Sequence, residues 1–580
     1  MKAVMAFNLR FYLLRLRHSS TIELLHRIWQ LCARLHLKIL YILDGRQFNR
    51  FAVECARVDN LKMPDLLPEF TNASANFKNG FPPDSGALKS DIRLRWEPAR
   101  LQLVSTFFAW ESYRSATARG RLSGDAAKAL ILSWIKDNPF PHGDNYRSSM
   151  ECALRIPVLF YALKQLKYLR SRDRDRILQT INLHARMVAN GLSLYSSLGN
   201  HTITEAVGLV FAGSMYRLER TGRSWLDTGI RILQSEIEHQ ILEDGGPAEQ
   251  SLGYHRFVLD LYWLVMDFVH KNSLANLSHW QPKLLKAESF MSTFLDMNGT
   301  FPGIGDSDDG AAVAPGVAPR RNASTISSGE RITFPASGYS VINDSRLMFT
   351  FDHGPLGMAP FCNHGHADAL SITLSKNGWP LIVDTGTYRY NGVPKWRRYF
   401  KSTRAHNTVN IDNQDQAVQE TGFIWSRPYK VRLTACHEPG GNLFYDAEHN
   451  GYARLSDPVR HRRSVLVVGG ETFLIKDRFI GKGIHCFQIN FHLHPQAEVS
   501  AEAGGWIVDH GGEKIYMNLR EANFQLIRGQ QDPILGWFSS RYGHKEPTYT
   551  LSCTRMGNAN SVVFTTIICT RAPWVRNWFR

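Results

Sequence analysis

The apolar residues of this chain change period once, and that change limits its fold more than any other feature. From about residue 100 to 300 they recur at helical spacing, as in Leu159, Leu163 and Leu166, or Ile177, Ile181 and Ala185. Gly and Pro fall between such segments, at 138–143, at Asn190-Gly191 and at Asp244-Gly245-Gly246-Pro247, where they stop helices. The spacing predicts helices near 101–118, 124–136, 148–169, 174–189, 202–219, 225–242, 255–271 and 283–296. Helices joined by short loops bury their apolar stripes against one another, so a helical domain over 96–309 follows.

Residues 310–330 are rich in Gly, Ala, Pro and Ser and read as a linker. Beyond it the period is two, in Leu347–Phe351, Leu370–Leu374, Leu381–Asp384, Val465–Val468, Phe473–Ile475 and Gln488–His494. Asn377-Gly378 and Gly469-Gly470 each stand between two such runs, the signature of a tight hairpin. Repeated short strands over 331–580 point to an antiparallel β-sandwich. The expected chain is therefore α+β and multidomain: a basic N-terminal helical extension over 1–95, the helical domain, the linker and the sandwich.

Charge narrows the partners. The formal net charge is +16, and residues 1–50 hold nine Lys or Arg against two acids, so +7 sits in that first tenth. Such an excess favours an anionic partner, whether nucleic acid, a lipid surface or an acidic polymer. Arg15, Arg17, Arg34 and Lys38 interrupt the most apolar N-terminal part, so no membrane-spanning helix is expected there, though a basic segment of this kind suits a membrane surface. Arg10, Arg15 and Arg17 also leave no clean cleavable signal peptide. Eight scattered cysteines without a CxxC pair read as free thiols, not a disulfide framework. Phosphate-loop, Gly-x-Ser-x-Gly, His-Glu-x-x-His and zinc-finger spacings are all missing, which removes support for nucleotide chemistry, serine hydrolysis and zinc-finger DNA reading.

Four clusters carry polar residues suited to chemistry. Asn200-His201 opens a predicted helix that also holds Glu205, and taken alone Asn200 reads as a helix cap. Glu249-Gln250-Ser251-Leu252-Gly253-Tyr254-His255 opens another, where Ser251 reads as a cap and Tyr254, a phenol of pKa about 10, as a poor base. His364-Gly365-His366-Ala367-Asp368 puts two imidazoles on one side of an extended backbone, as a metal or an acid/base pair requires. The hairpin at Asn377-Gly378 brings Asp384 back beside these histidines, and His406 could add a further ligand, a His/Asp/His set that zinc accepts. Arg397, Arg398 and Arg404 lie between, suited by charge to carboxylates or sulfates.

In this order the clusters resemble the heparinase II/III family of polysaccharide lyases, most strongly over His364–Gln416 and on to Phe491-His492-Leu493-His494-Pro495. The resemblance implies an N-terminal incomplete α/α toroid followed by a C-terminal antiparallel β-sandwich. It implies β-elimination at a uronic acid unit of an anionic polysaccharide, with no nucleic-acid partner. Residue by residue, Asn200 resembles the neutraliser of the uronate carboxylate, helped by His201. Tyr254 resembles the catalytic tyrosine and His364 the catalytic histidine. His366, Asp384 and His406 resemble ligands of a structural divalent metal, zinc by type. Glu205, Gln250, Arg397 and Arg404 stand as expected substrate contacts. The substrate class points to the periplasm or cell envelope, although the N-terminus lacks the cleavage site that such export needs. Two other readings stay open: a non-catalytic protein that binds or assembles acidic polysaccharide, and a metal-dependent hydrolase.

Overall fold

A computed structural model describes residues 20–68, 91–114, 123–195, 198–321, 331–344, 346–502 and 504–571. The basic stretch before Ser20 lies outside them. The chain forms two compact units, one of Met1–Gln240, Arg256–Leu285 and Gly310–Ser324, the other of Ile241–His255, Lys286–Asp309 and Thr325–Arg580.

The first unit is helical. Its elements are α1 (Thr21–Glu54), α2 (Arg93–Ala99), α3 (Gln102–Arg114), α4 (Ser123–Asp137), α5 (Ser149–Gln165), α6 (Ser171–Ala189), α7 (Asn200–Met215) and α8 (Arg220–Gln240). The chain passes between the units within α9 (Leu252–Lys271) and α10 (Gln281–Thr293). Each periodic segment of the sequence thus forms a helix close to its predicted place. Ser148 starts α5 as a cap, its hydroxyl accepting from the Glu151 N–H at 3.4 Å. Nearly every side chain of α5 and α7 is buried, so these two form the centre of the unit. They approach closely at Gly208, where a Cβ would come within 2.8 Å of the Ala153 side chain. Phe160, Phe211 and Phe268 fill the core beside them, the last two stacked at 4.1 Å. Arg100 and Glu151 form a buried two-pronged ion pair at 2.7 and 2.9 Å.

Two expectations need correction here. Residues 310–321 are not an open linker: Val317–Pro319 pairs as a strand with Leu66–Pro68, Gln102 donates to the carbonyls of Ala311 and Ala312, and Val313 and Ala314 are buried. A Gly/Pro-rich composition excludes helix but not packing. Within the expected N-terminal extension, α1 is not detached from the helical unit, since it packs on α6 and Leu37 and Ala52 are buried.

The second unit is strand-rich and antiparallel throughout its larger sheets. Arg331–Phe334, Tyr339–Asn343, Leu347–Asp352, Ile372–Lys376 and Trp379–Ile382 form a five-stranded meander. An eight-stranded sheet runs from Val431–His437 to Glu498–Glu502, and a four-stranded sheet is built on Ile484–His492 and Tyr549–Asn558. Thr472–Ile480 alternates buried and less buried residues along its length, the period-two pattern of a strand with one face inward. One continuous apolar core joins the three sheets. Phe349 of the first meets Phe473 of the second at 4.7 Å, and Phe479 of the second meets Phe487 of the third at 4.2 Å. Both predicted hairpins form, with Lys376 paired to Trp379 and Val468 to Thr472. Asn377 and Gly378 have φ of 47° and 75°, the left-handed pair that a two-residue turn demands.

Candidate active site and metal centre

The hairpin Ile372–Ile382 does what its sequence predicts and returns Asp384 to the loop that carries His366. His406 joins them from the coil before Val409–Ile411. Its position is set by Asn407, whose amide donates to the Ile372 and Val383 carbonyls at 2.7 and 2.9 Å and accepts from the His492 N–H at 2.7 Å. The side chain of Arg463 donates to the Asn407 and Leu370 carbonyls, each at 2.6 Å, so the sandwich core holds this coil from below.

His366, Asp384 and His406 each present a ligand atom, all within 4.8 Å of one another and all buried. Among the described residues His366 Nδ1 and His406 Nε2 have no hydrogen-bond partner, and an orphaned imidazole nitrogen in a buried site fits a metal. The other ring nitrogens are held by carboxylates: His366 Nε2 lies 3.0 Å from Asp306 and His406 Nδ1 lies 2.8 Å from Asp384. Carboxylates behind ligating histidines are the usual support of a metal site. Burial lowers the His366 pKa to about 4 against the pull of Asp306, so its ring is neutral at pH 7 and can donate a lone pair. Burial also opposes charge on His406, but the Asp384 carboxylate raises its pKa.

Asp306 is the hub of the site. It meets His364 Nδ1 at 3.1 Å, His366, the Thr387 hydroxyl at 3.2 Å and both prongs of the Arg397 guanidinium, one at 2.7 Å. Burial would raise its pKa, yet Arg397 and the two imidazoles hold it well below the usual carboxylate range. Its loop is fixed by Gly305, with φ of 65°, where a Cβ would fall 2.3 Å from the Gln250 carbonyl.

That close approach brings the start of α9 to the same place. Ser251 caps the helix, accepting from the Tyr254 N–H at 3.3 Å, and Ser307 accepts from the Gly253 N–H at 2.9 Å. The Tyr254 ring then lies against His364, with centroids 3.9 Å apart. Its hydroxyl lies 3.1 Å from that of Tyr390, which donates to Asp308 at 3.1 Å. Because an ionised carboxylate only accepts, Tyr390 donates there and its oxygen is left to accept from Tyr254. Arg397 sits 4.7 Å over the Tyr390 ring. His364 Nε2 lies 3.8 Å from Glu249, so its imidazole stands between two carboxylates.

Tyr254, His364, His366, Asp384 and His406 are thus brought together in one unit. Asn200, His201 and Glu205 belong to the other unit, at the start of α7. Gly199, with φ of 99°, takes the capping position, so Asn200 is the first helical residue and its amide is not the cap that its sequence position suggests.

Three of the expected substrate contacts are buried and hydrogen-bonded within the protein. Glu205 is buried, with its carboxyl on the Ser193 N–H and hydroxyl at 2.6 and 2.8 Å, and burial pushes its pKa up to about 8. Gln250 is buried, its amide donating to Pro247 and Ser337 and accepting from the Tyr339 hydroxyl at 2.8 Å. Arg397 is buried on helix α11 (Pro394–Phe400) and committed to Asp306. Gln250 and Arg397 brace the site of the second unit, whereas Glu205 serves the first unit by holding Ser193. Arg404 is only half-buried and bonds Asn413, while its carbonyl accepts from His492 at 3.0 Å.

Sequence reasoning missed Asp306 and Asp308 and gave Tyr390 no role. The available signal was Gly303-Ile304-Gly305-Asp306-Ser307-Asp308, an acidic run between glycines just before the Ala/Pro-rich stretch.

Two family descriptions match the chain, "Heparinase II/III N-terminus" over residues 113–315 and "Heparinase II/III-like, C-terminal" over 327–566. The chain belongs to the heparinase II/III family. The first matched segment holds Asn200, His201, Tyr254 and Asp306, and the second holds His364, His366, Asp384 and His406. This family member is 24% identical over 520 residues to a heparin-sulfate lyase of Bacteroides stercoris, covering 77% of this chain and 72% of that one. It is 24% identical over 367 residues to the heparin-sulfate lyase of Pedobacter heparinus, 58% of this chain and about half, 51%, of that one. Among solved structures it is similar to heparinase III, with a TM-score of 0.63 at 17% identity over 84% of this chain and 78% of that one. A heparan sulfate lyase from Pedobacter heparinus gives 0.54 at 16% identity over 86% and 79%. The fold is that of the family, an incomplete α/α toroid followed by an antiparallel β-sandwich.

Proposed function

We propose that this heparinase II/III chain is a lyase that cleaves a uronic-acid-containing anionic polysaccharide by β-elimination. The observation that carries the reading is the Tyr254–His364 pair, with the phenol hydrogen-bonded toward Tyr390 and Asp308 and the imidazole held by Asp306. Two groups able to exchange protons, in contact and each oriented by a buried network, suit general acid–base chemistry.

In this reading the C5 proton of the uronate, acidic because it is α to the carboxylate, passes to one member of the pair. Negative charge builds on the carboxylate and calls for a hydrogen-bond donor there, the role that the family resemblance gives to Asn200 with His201. The C4–O bond then breaks, its electron pair leaves with O4, and O4 takes a proton from the acid. A C4–C5 double bond remains, conjugated to the carboxylate. That bond provides the test, since it absorbs in the ultraviolet where the intact polymer does not. With purified protein, absorbance is expected to rise on at least one of heparan sulfate, alginate, hyaluronan, chondroitin or a bacterial uronic-acid exopolysaccharide. New reducing ends without absorbance would indicate hydrolysis instead.

The same reading gives His366, Asp384 and His406 a divalent cation, zinc by its donor set. Bound there, the cation supplies a fixed positive charge and a cross-link among three loops. Elemental analysis of the purified protein is expected to return about one divalent ion per chain, and His406→Ala to lose it together with thermal stability. A metal-free native protein of unchanged melting temperature would remove the assignment.

A further inference from the structure

Helix α1 is built inside out. Its polar residues face the protein: Gln30 donates to the Leu192 carbonyl at 2.6 Å, and Arg34 donates to the Ser149 hydroxyl and the Gly191 carbonyl at 2.7 and 3.0 Å. Glu23 is buried and paired with Arg27. On the opposite side Leu25, Ile28, Leu35, Ile39 and Ile42 follow one another at helical spacing, and each is 45–66% exposed. Ile22, Trp29, Leu31, Leu40 and Leu43 flank this stripe and are exposed too. Ten of the twenty exposed large apolar side chains among the described residues therefore lie on one helix. The stripe ends where the helix breaks, at Asp44 with φ of −142° and ψ of 57°. From Ile22 to Leu43 it runs about 33 Å at the helical rise. Soluble chains rarely leave so continuous an apolar face in water.

We infer that this face of α1 docks the chain on an anionic lipid surface. Charge selects the occupant. Lys38 borders the apolar stripe, Arg46 and Arg50 follow it, and Lys2, Arg10, Arg15 and Arg17 precede it in the sequence. Basic residues beside an exposed apolar helix face are the pattern of a helix lying in the lipid interface, where the side chains enter the acyl boundary and the cations meet phosphate. A second copy seated on the same face would bring two segments of +7 together, an arrangement that like-charge repulsion disfavours. No described helix is long and apolar enough to cross a membrane, so the contact is peripheral. The inference is independent of the catalytic reading.

Sedimentation of the full chain with vesicles tests it. Vesicles of phosphatidylcholine with about a third phosphatidylglycerol are expected to pull the protein down, pure phosphatidylcholine to bind it at least tenfold less, and high salt to weaken the interaction. The variant L25Q/I28Q/L35Q/I39Q changes only exposed side chains, so it should keep the native melting temperature and lose at least tenfold in vesicle binding. No pelleting with the anionic vesicles would overturn the proposal. So would pelleting that the four substitutions leave unchanged, or a solution dimer that they dissociate, which would assign the face to a second copy.

Discussion

Tyr254→Phe is expected to lower kcat on the cleaved polymer by about 10²–10⁴-fold, the range for loss of a positioned acid or base, with little change in melting temperature. The substitution deletes one oxygen. The ring that lies 3.9 Å from His364 remains, as does the Ser251 cap of its helix, so the packing that positions the rest of the site is untouched. What disappears is the hydroxyl that meets Tyr390 at 3.1 Å. The rate of ultraviolet absorbance rise measures the loss. Full activity would remove Tyr254 from proton transfer, whereas a raised KM at unchanged kcat would make it a binding group only.

Asp306→Ala is expected to have the largest effect on stability. It strips the partner from Arg397, a guanidinium only 2% exposed, and leaves a buried charge uncompensated. Breaking a buried pair from one side costs about 3–5 kcal/mol, which corresponds to roughly ten degrees in Tm for a unit of this size. The same carboxylate holds His364 and His366, so activity and metal content should fall as well. The sign of the pH dependence follows from the depressed pKa. In the folded state Asp306 stays ionised below the usual carboxylate range, so its stabilisation is present above the unfolded pKa of about 4 and is lost as pH falls through the lower folded value. Acid melting curves of the native protein should therefore steepen where those of Asp306→Ala do not. A variant as stable as the native chain at neutral pH would show that Arg397 finds another partner.

These two residues mark how far the site was legible. Tyr254 sits in a motif whose order along the chain points to a family, and its helix start carries a readable cap at Ser251. The hairpin that returns Asp384 to the histidines is likewise local, because a two-residue Asn-Gly turn sets the register of its strands. Asp306 was not legible. Its partners His364, His366 and Arg397 are 58, 60 and 91 residues away, and nothing in an aspartate between glycines says which distant groups it will meet. For the same reason Arg397 reads from the sequence as a cation for substrate carboxylates or sulfates, while its place on the inner side of α11 makes it the counter-ion of Asp306.

Periodicity is a property of neighbours along the chain, so the order of helices followed by strands, the hairpins and the caps all follow from residues a few positions apart. Burial is a property of neighbours in space. Tertiary packing alone decided that Glu205 and Gln250 turn inward, that the Ala/Pro-rich stretch is packed, and that α1 presents its apolar face to the solvent. An amphipathic pattern states that two faces differ. Which of them faces the protein depends on the hydrogen-bonding groups waiting there, in this case the Ser149 hydroxyl and the Gly191 and Leu192 carbonyls that take the polar side.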